Sequence, residues 1–182
     1  MHDNRQIAPE ISGIDNIRVS LHDVGDLRER FPSWDSLSKR GKLEHAREVE
    51  PERVVESSNV TTTGLHELIV DMLHTEQAVN ESASHLALGT DDTTQPASGD
   101  STLNNEVYRV EVTDGIDRGS ELFTSTFLDS TEANGNTLVE AGLVTSAAGG
   151  SNILLNHALI SDIEKDEEST ATVDVALSFS NP

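Results

Sequence analysis

The strongest constraint on the fold is a succession of short segments in which apolar and polar residues alternate. The clearest is TATVDVALSF, residues 170–179, and comparable segments are RVVESSNV, SHLALG, EVYRVEVT, ELFTSTFL, NTLVEAGLVTS and NILLNHALIS. Most of them are separated by sequences typical of turns, which are DGIDRG, ANGN, AAGGS and EKDEES. This pattern predicts a mainly β chain whose body is an antiparallel β-sandwich or jelly-roll-like fold.

One segment has helical periodicity instead. Thr63 is a credible N-cap residue, and the apolar residues after it recur at intervals of three and four positions. They are Leu65, Leu68, Ile69, Met72 and Leu73. The sequence therefore predicts one amphipathic helix, which we expect to pack on a sheet.

The charge distribution divides the chain at about residue 50. The first 50 residues have ten acidic and eight basic side chains, net −2, so −19 of the total −21 falls on residues 51–182. The apolar residues of the first part are too few for a core of their own, because short chains bury little surface. We expect residues 1–50 to form an extended N-terminal arm that anchors the protein and is dispensable for folding. Residues 51–182 form the expected β-sandwich body.

Two aromatic residues of this expected arm stand beside basic residues. Phe31 and Trp34 are candidates for an assembly anchor on a partner surface, because aromatic and arginine side chains dominate interface hot spots. An equally weighted alternative is that Trp34 covers the body of its own subunit.

The acidic composition disfavours several classes of partner. The chain has 33 acidic and 12 basic residues, with four of the basic ones after residue 50. Nucleic acids and anionic membranes both require clustered Lys and Arg. No apolar run approaches the roughly 18 residues of a spanning helix, so we expect no membrane insertion. Abundant counterions would screen the self-repulsion, which indicates a halophilic source, with an acidic mesophilic protein as the alternative.

No motif is typical of an enzyme or a cofactor site. The seven histidines lack HExxH spacing, and the SLSK sequence, a formal SxxK, has none of the elements that accompany that motif in enzymes. Asp91, Asp92 and Asp100 are weak candidates for a calcium or magnesium site, since carboxylates are hard oxygen ligands. A solvated acidic loop is the favoured interpretation. We expect no catalytic residues and no cofactor.

The order of four motifs resembles a known family. SSNVTTTGLHELIVDML precedes HLALG, an acidic loop leads to LNNEVYR, and EAGL follows later. This order, over roughly residues 53–179, resembles tail-fibre and collar-type structural proteins of tailed viruses. The resemblance implies a non-enzymatic component of a tail, fibre or baseplate, here in the virus of a halophilic archaeon. Such a protein would be assembled in the host cytoplasm and found in the virion.

The resemblance also implies structural roles for the motif residues Tyr108, Arg109, Glu140 and Gly142. Arg109 is expected to pair with an acid such as Glu140. Gly142 is expected to allow a close backbone approach or a bulge.

We also expect a homo-oligomer that contacts other virion proteins. A strand next to the C-terminus, such as TATVDVALSF, is easily left at a sheet edge, where unpaired backbone groups invite a neighbour. Tail appendages of the resembling family are commonly trimeric, so a trimer is predicted. The alternatives are a capsid turret, spike or decoration protein, and a host-surface carbohydrate-binding adhesin. The aromatic content of 3% disfavours the adhesin.

Overall fold

The structure, a computed structural model, describes residues 16–74, 82–117, 121–146 and 152–178. The helical elements in these ranges are α1 (Val24–Arg30), a 3₁₀ turn (Trp34–Ser36), α2 (Lys39–Ala46) and α3 (Thr63–His74). The strands are β1 (Asn16–Asp23), β2 (Arg53–Ser58), β3 (Val60–Thr61), β4 (His85–Gly89), β5 (Glu106–Glu111), β6 (Asp114–Asp117), β7 (Glu121–Leu128), β8 (Thr137–Val144), β9 (Asn156–Glu164) and β10 (Ser169–Ser178).

The strands form two antiparallel sheets of five. Sheet 1 has the order β2-β1-β10-β7-β6, and sheet 2 has the order β3-β9-β8-β4-β5. Alternate residues of each strand face the other sheet, so Val173 and Val175 of β10 share a core with Leu86 and Leu88 of β4. The predicted mainly β, sandwich-like fold is confirmed.

The expectation of an extended arm is wrong for residues 16–50. β1 lies between β2 and β10, with Val19 paired to Val55 on one side and to Val173 on the other. Ile17 and Val19 are buried in the core between the sheets. The few apolar residues of this region do not need a core of their own, because they complete the core of the body. Deleting residues 1–50 would therefore remove a central strand. Residues 1–15 of the expected arm lie outside the described residues.

The expectation that the last strand lies at a sheet edge is also wrong. β10 pairs with β1 on one side and with β7 on the other. Its backbone groups are therefore satisfied within the chain, because the N-terminal strand adds beside the C-terminal one. The edges are β2 and β6 in sheet 1, and β3 and β5 in sheet 2.

Some local elements differ from the sequence prediction. The DGID sequence, predicted as a turn, forms β6 and pairs with β7, so that Gly115 lies opposite Thr124. Two short helices precede β2: the Asp23 side chain caps α1 and the Ser38 side chain caps α2. The predicted amphipathic helix is α3.

Both sheets are covered on their outer faces. Residues 24–46, named here the helical cover, lie on sheet 1, where Trp34 and Leu43 pack on Phe127. Residues 90–105, named the loop cover, lie on sheet 2, where Leu103 contacts Ala87. Ala87 alternates with the core residues Leu86 and Leu88, so it faces away from the sandwich core.

Candidate functional site

A buried charged cluster joins the loop cover to sheet 2. Glu140 of β8 and His157 of β9 are both 0% exposed. His157 Nε2 lies 3.0 Å from Glu140 Oε2, and His157 Nδ1 lies 2.7 Å from Asp100 Oδ2. Asp100 belongs to the loop cover. These three residues, named the His157 cluster, connect two neighbouring strands to the segment that covers them.

Both ring nitrogens of His157 are used in the cluster. Both ring nitrogens of His157 face carboxylate oxygens, and a neutral imidazole has only one N–H. If both carboxylates are ionised, both nitrogens must donate, so the ring is an imidazolium held between Asp100 and Glu140. Hydrogen bonds between charged partners are stronger than neutral ones.

Glu140 also accepts hydrogen bonds from the backbone of the loop cover. The N–H groups of Asn105, Asn104 and Asp91 lie 2.7, 3.0 and 3.3 Å from its carboxylate oxygens. These residues stand at the beginning and the end of the loop cover. One buried carboxylate therefore holds both ends, and these bonds offset the cost of burying its charge.

Two glycines leave room for this arrangement. A Cβ atom at Gly89 would overlap the Glu140 side chain and the backbone oxygen of Asn105. A Cβ atom at Gly142 would overlap the backbone oxygen of Asn156, so the expected close approach is present there. Gly89 belongs to the LALG motif, and Glu140 and Gly142 belong to EAGL. Both motifs thus shape the outer face of sheet 2.

The expected ion pair between Arg109 and Glu140 is wrong. Arg109 pairs with Glu106, at 2.6 Å between Nη2 and Oε2. Its Nη1 donates to the backbone oxygen of Ser146 at 2.8 Å and to Asn152 Oδ1 at 3.0 Å. Strand β4 separates β5 from β8, which places Arg109 beside the β8–β9 connection instead. Arg109 therefore holds β5 to that connection.

Tyr108 contacts Glu132 in the connection from β7 of sheet 1 to β8 of sheet 2. Partial burial raises the pKa of Tyr108, and the negative charge and hydrogen bond of Glu132 raise it further. Glu132 lies in residues 129–136, which connect β7 of sheet 1 to β8 of sheet 2.

All three lysines of the chain contact the same connection. Lys39 Nζ lies 2.5 Å from Glu132, Lys42 Nζ lies 2.5 Å from Asp129, and Lys165 Nζ donates to Asn134 at 2.9 Å. Burial lowers the pKa of Lys165 to about 8, against the opposing effect of nearby carboxylates. This lysine clamp was not predicted, because Lys165 and the β7–β8 connection are far in the sequence from Lys39 and Lys42.

The predicted metal candidates are not brought together as ligands. Asp91 accepts hydrogen bonds from Thr93, which lower the pKa of the Asp91 carboxyl group. Asp100 bonds to His157 and to the Ala97 N–H, and Asp92 is exposed. Within the described ranges, no group of three or more acidic or histidine side chains could hold a metal ion.

The aromatic pair of the helical cover faces inward. Trp34 is 1% exposed, and its ring meets Phe127 edge-on at 5.9 Å between centroids. The hypothesis that Trp34 anchors a partner is therefore wrong, and the alternative that it covers its own subunit is correct. Phe31 is half-buried and stacks on His45 at 4.3 Å.

An apolar groove opens between α3 and the β5–β6 edge. Its volume is about 600 Å³, and it is named the α3 groove. The apolar lining includes Leu65, Leu68, Ile69, Met72, Val112 and Leu122. Met72, expected to pack on a sheet, is 52% exposed. The groove has the size of a site for several side chains or a small ligand.

No helix in the described part of the chain is both long and apolar enough to cross a membrane.

Comparison with protein-family models, with curated proteins and with solved structures gives no match to this chain. The function must therefore be inferred from the chain's own residues.

Proposed function

We propose that this chain is a non-enzymatic structural component of the particle of a tailed virus that infects a halophilic archaeon. In this role it forms part of a tail, fibre or baseplate attachment. The observation that best supports the non-enzymatic part of this proposal is the His157 cluster. Its imidazole and carboxylates have the chemistry of an acid–base site, but Glu140 and His157 are buried, Asp100 is partly buried, and their bonds hold the loop cover.

Acid–base catalysis requires a group that reaches the substrate directly or through one water molecule. Glu140 and His157 have no exposed surface. The bonds of Glu140 to Asn104 and Asn105 also leave it little capacity for another ligand. A structural role explains the burial and the bonding together.

The distribution of charge supports the halophilic part of the proposal. The surface carries a large excess of carboxylates, since the chain has a net charge of −21. Each lysine is engaged by the β7–β8 connection, which leaves little ammonium charge to offset that excess. Concentrated counterions screen repulsion between such carboxylates.

The proposed homo-oligomer, a trimer, gains support from the edge strands. Val54 on β2 is 41% exposed and Val107 on β5 is 38% exposed. Exposed edge strands offer backbone groups for pairing with a neighbouring chain. Assembly with other virion proteins could use the same edges.

Carbohydrate binding has weaker support. Adhesin sites use exposed aromatic faces, yet Trp34, Phe123 and Phe127 are buried among the described residues. A capsid turret, spike or decoration protein would share every feature above, and only its place in the particle would differ.

Labelling purified virions with an antibody against this chain tests the proposal. We expect label on the tail or its appendages. Label on the capsid would favour the turret, spike or decoration role, and absence from purified particles would overturn the structural role altogether.

Two measurements on the purified protein test the remaining parts. The melting temperature should rise markedly between dilute buffer and molar KCl, and equal values would remove the halophilic argument. Light scattering at molar salt should give a trimer. A monomer of 19.7 kDa across the micromolar range would exclude self-assembly.

A further inference from the structure

The α3 groove is a largely apolar cleft at the surface of the described chain. Its walls come from α3 on one side and from β5, β6 and β7 on the other, and Met72 and Leu122 lie on opposite walls. Its lining also includes two acids, Glu111 and Asp114, of which Asp114 pairs with Arg40. Large apolar clefts on protein surfaces commonly mark interaction sites.

The described chain begins close to this groove. Asn16 pairs with Ala176 of β10, and Ala176 pairs with Phe123 of β7. Phe123 is next to Leu122, which lines the groove. Paired strands lie about 4.8 Å apart, so two strand spacings, about 10 Å, separate Asn16 from this wall. The preceding residues therefore start at the groove's end of the sandwich.

The preceding segment has suitable length and composition. Residues 1–15, MHDNRQIAPEISGID, contain isoleucines at positions 7, 11 and 14. Fifteen residues can span up to about 50 Å when extended, far more than the distance to the groove. The segment carries three acids, Asp3, Glu10 and Asp15, against Arg5, so apolar contact rather than charge would hold it in the groove.

We propose that residues 1–15 dock in the α3 groove of their own chain, with Ile7, Ile11 and Ile14 against its apolar walls. The short distance from Asn16 favours the same chain over a second copy, because the segment is then present at a high effective concentration. This inference goes beyond the proposed function and does not depend on it. It would give the expected arm an intramolecular binding site in place of an anchor on a partner.

A charge-matched pair of full-length variants tests the contact. One variant carries Ile7→Asp, Ile11→Asp and Ile14→Asp, and its control carries Asn4→Asp, Gln6→Glu and Ser12→Asp. Both add three negative charges, but only the first removes the isoleucines. We expect a several-fold rise in the fluorescence of a dye that binds apolar surface for the first variant only. Adding Met72→Glu to the isoleucine variant should abolish the rise in fluorescence, which would show that the dye binds in the groove.

Cross-linking tests the location directly, because the chain has no cysteine. Ser12→Cys combined with Met72→Cys should form an efficient intramolecular cross-link with a short bis-maleimide. The control pairs Ser12→Cys with Glu167→Cys. Glu167 lies in the β9–β10 turn, about 30 Å from the groove along β10, and should cross-link poorly.

Three results would overturn the proposal. The first is equal dye binding by the two charge-matched variants, and the second is equal cross-linking of the two cysteine pairs. The third is a cross-link that joins two chains.

The segment that follows β10 is an alternative occupant of the groove, and a Phe179→Ser variant tests it, since Phe179 directly follows β10. If that substitution opens the groove to the dye and the isoleucine substitutions do not, the C-terminal segment is the occupant and the proposal is wrong.

Discussion

The two covers differ in how much apolar contact holds them on their sheets. The helical cover places Leu27, Trp34 and Leu43 against Phe127 in an apolar cluster. The loop cover contributes Leu103 to a smaller apolar cluster and is held by the hydrogen bonds of the His157 cluster. The sequence of residues 90–105 is rich in polar and acidic residues, so apolar burial offers it little stabilisation. A segment of that kind needs hydrogen bonds to a buried partner, which also fix its position.

Two buried histidines show the same contrast. His22 lies on the outer face of sheet 1, and its Nδ1 has no hydrogen-bond partner among the described residues. Burial lowers the pKa of His22 to about 4, so this ring is neutral at pH 7. His157 instead lies between two carboxylates. The helical cover therefore buries a neutral imidazole, and the loop cover buries an imidazole held between two carboxyl groups.

The largest effect is expected for Trp34→Ala in the helical cover. Removing a large buried aromatic side chain leaves a cavity and costs about 3–5 kcal/mol of unfolding free energy. Chemical denaturation at molar salt measures this loss. Val54→Ala, at an exposed valine, is the control and should change stability by less than about 0.5 kcal/mol. Similar losses for the two variants would show that the helical cover is not held by Trp34.

The second-largest loss of stability is expected for Glu140→Gln, which tests how the loop cover is held. The substitution keeps the shape but replaces the carboxylate that accepts from the loop backbone and contacts His157, and we expect a loss of about 3 kcal/mol of unfolding free energy. Hydrogen exchange should increase at the backbone amides of residues 90–105 and remain unchanged in the helical cover. Glu106→Gln, which alters the ion pair with Arg109, is the control. Unchanged exchange in the loop would mean that the buried carboxylate does not hold it.

The third prediction concerns acid pH and His22. Its pKa is about 4 in the folded protein and about 6.5 when unfolded, so the unfolded state binds more protons between these values. Stability should therefore fall as the pH drops from about 6.5 towards 4, by up to about 3 kcal/mol.

His22→Gln should reduce this pH dependence, measured as unfolding free energy against pH. His66→Gln, at an exposed histidine of α3, should leave it intact. If the unfolding free energy has the same slope against pH in the wild type and in His22→Gln, His22 is not the source of the pH dependence.

The smallest effect is expected for an exposed ion pair on the helical cover. Arg28 and Asp35 lie 2.9 Å apart with both side chains more than half exposed. Arg28→Ala should cost less than about 1 kcal/mol, and molar salt should reduce that further. A loss comparable to that of Trp34→Ala, in thermal or chemical unfolding, would mean that surface charge rather than apolar contact holds the cover.

The site was predictable only in part. Glu140 and Gly142 were expected to be structural, and both lie in the region that the loop cover packs on. An acid within the apolar segment TLVEAGLV is itself a signal of a buried charge that needs a partner. The partner could not be identified in the same way, because His157 is one of seven histidines. Arg109 was the wrong choice, since the strand order that separates it from Glu140 is not a local property.

What the sequence determined by itself is the β character of the body and the existence of α3, because alternation and helical periodicity are local patterns. Only the tertiary structure decided that β1 lies between β2 and β10, that the DGID sequence forms a strand, and that Trp34 faces inward. The first and the third depend on surfaces supplied by distant parts of the chain, whereas the DGID strand pairs with the strand that follows it. The apolar side of β1 matches any sheet that lacks a strand, and only the assembled sandwich provides the gap that it fills.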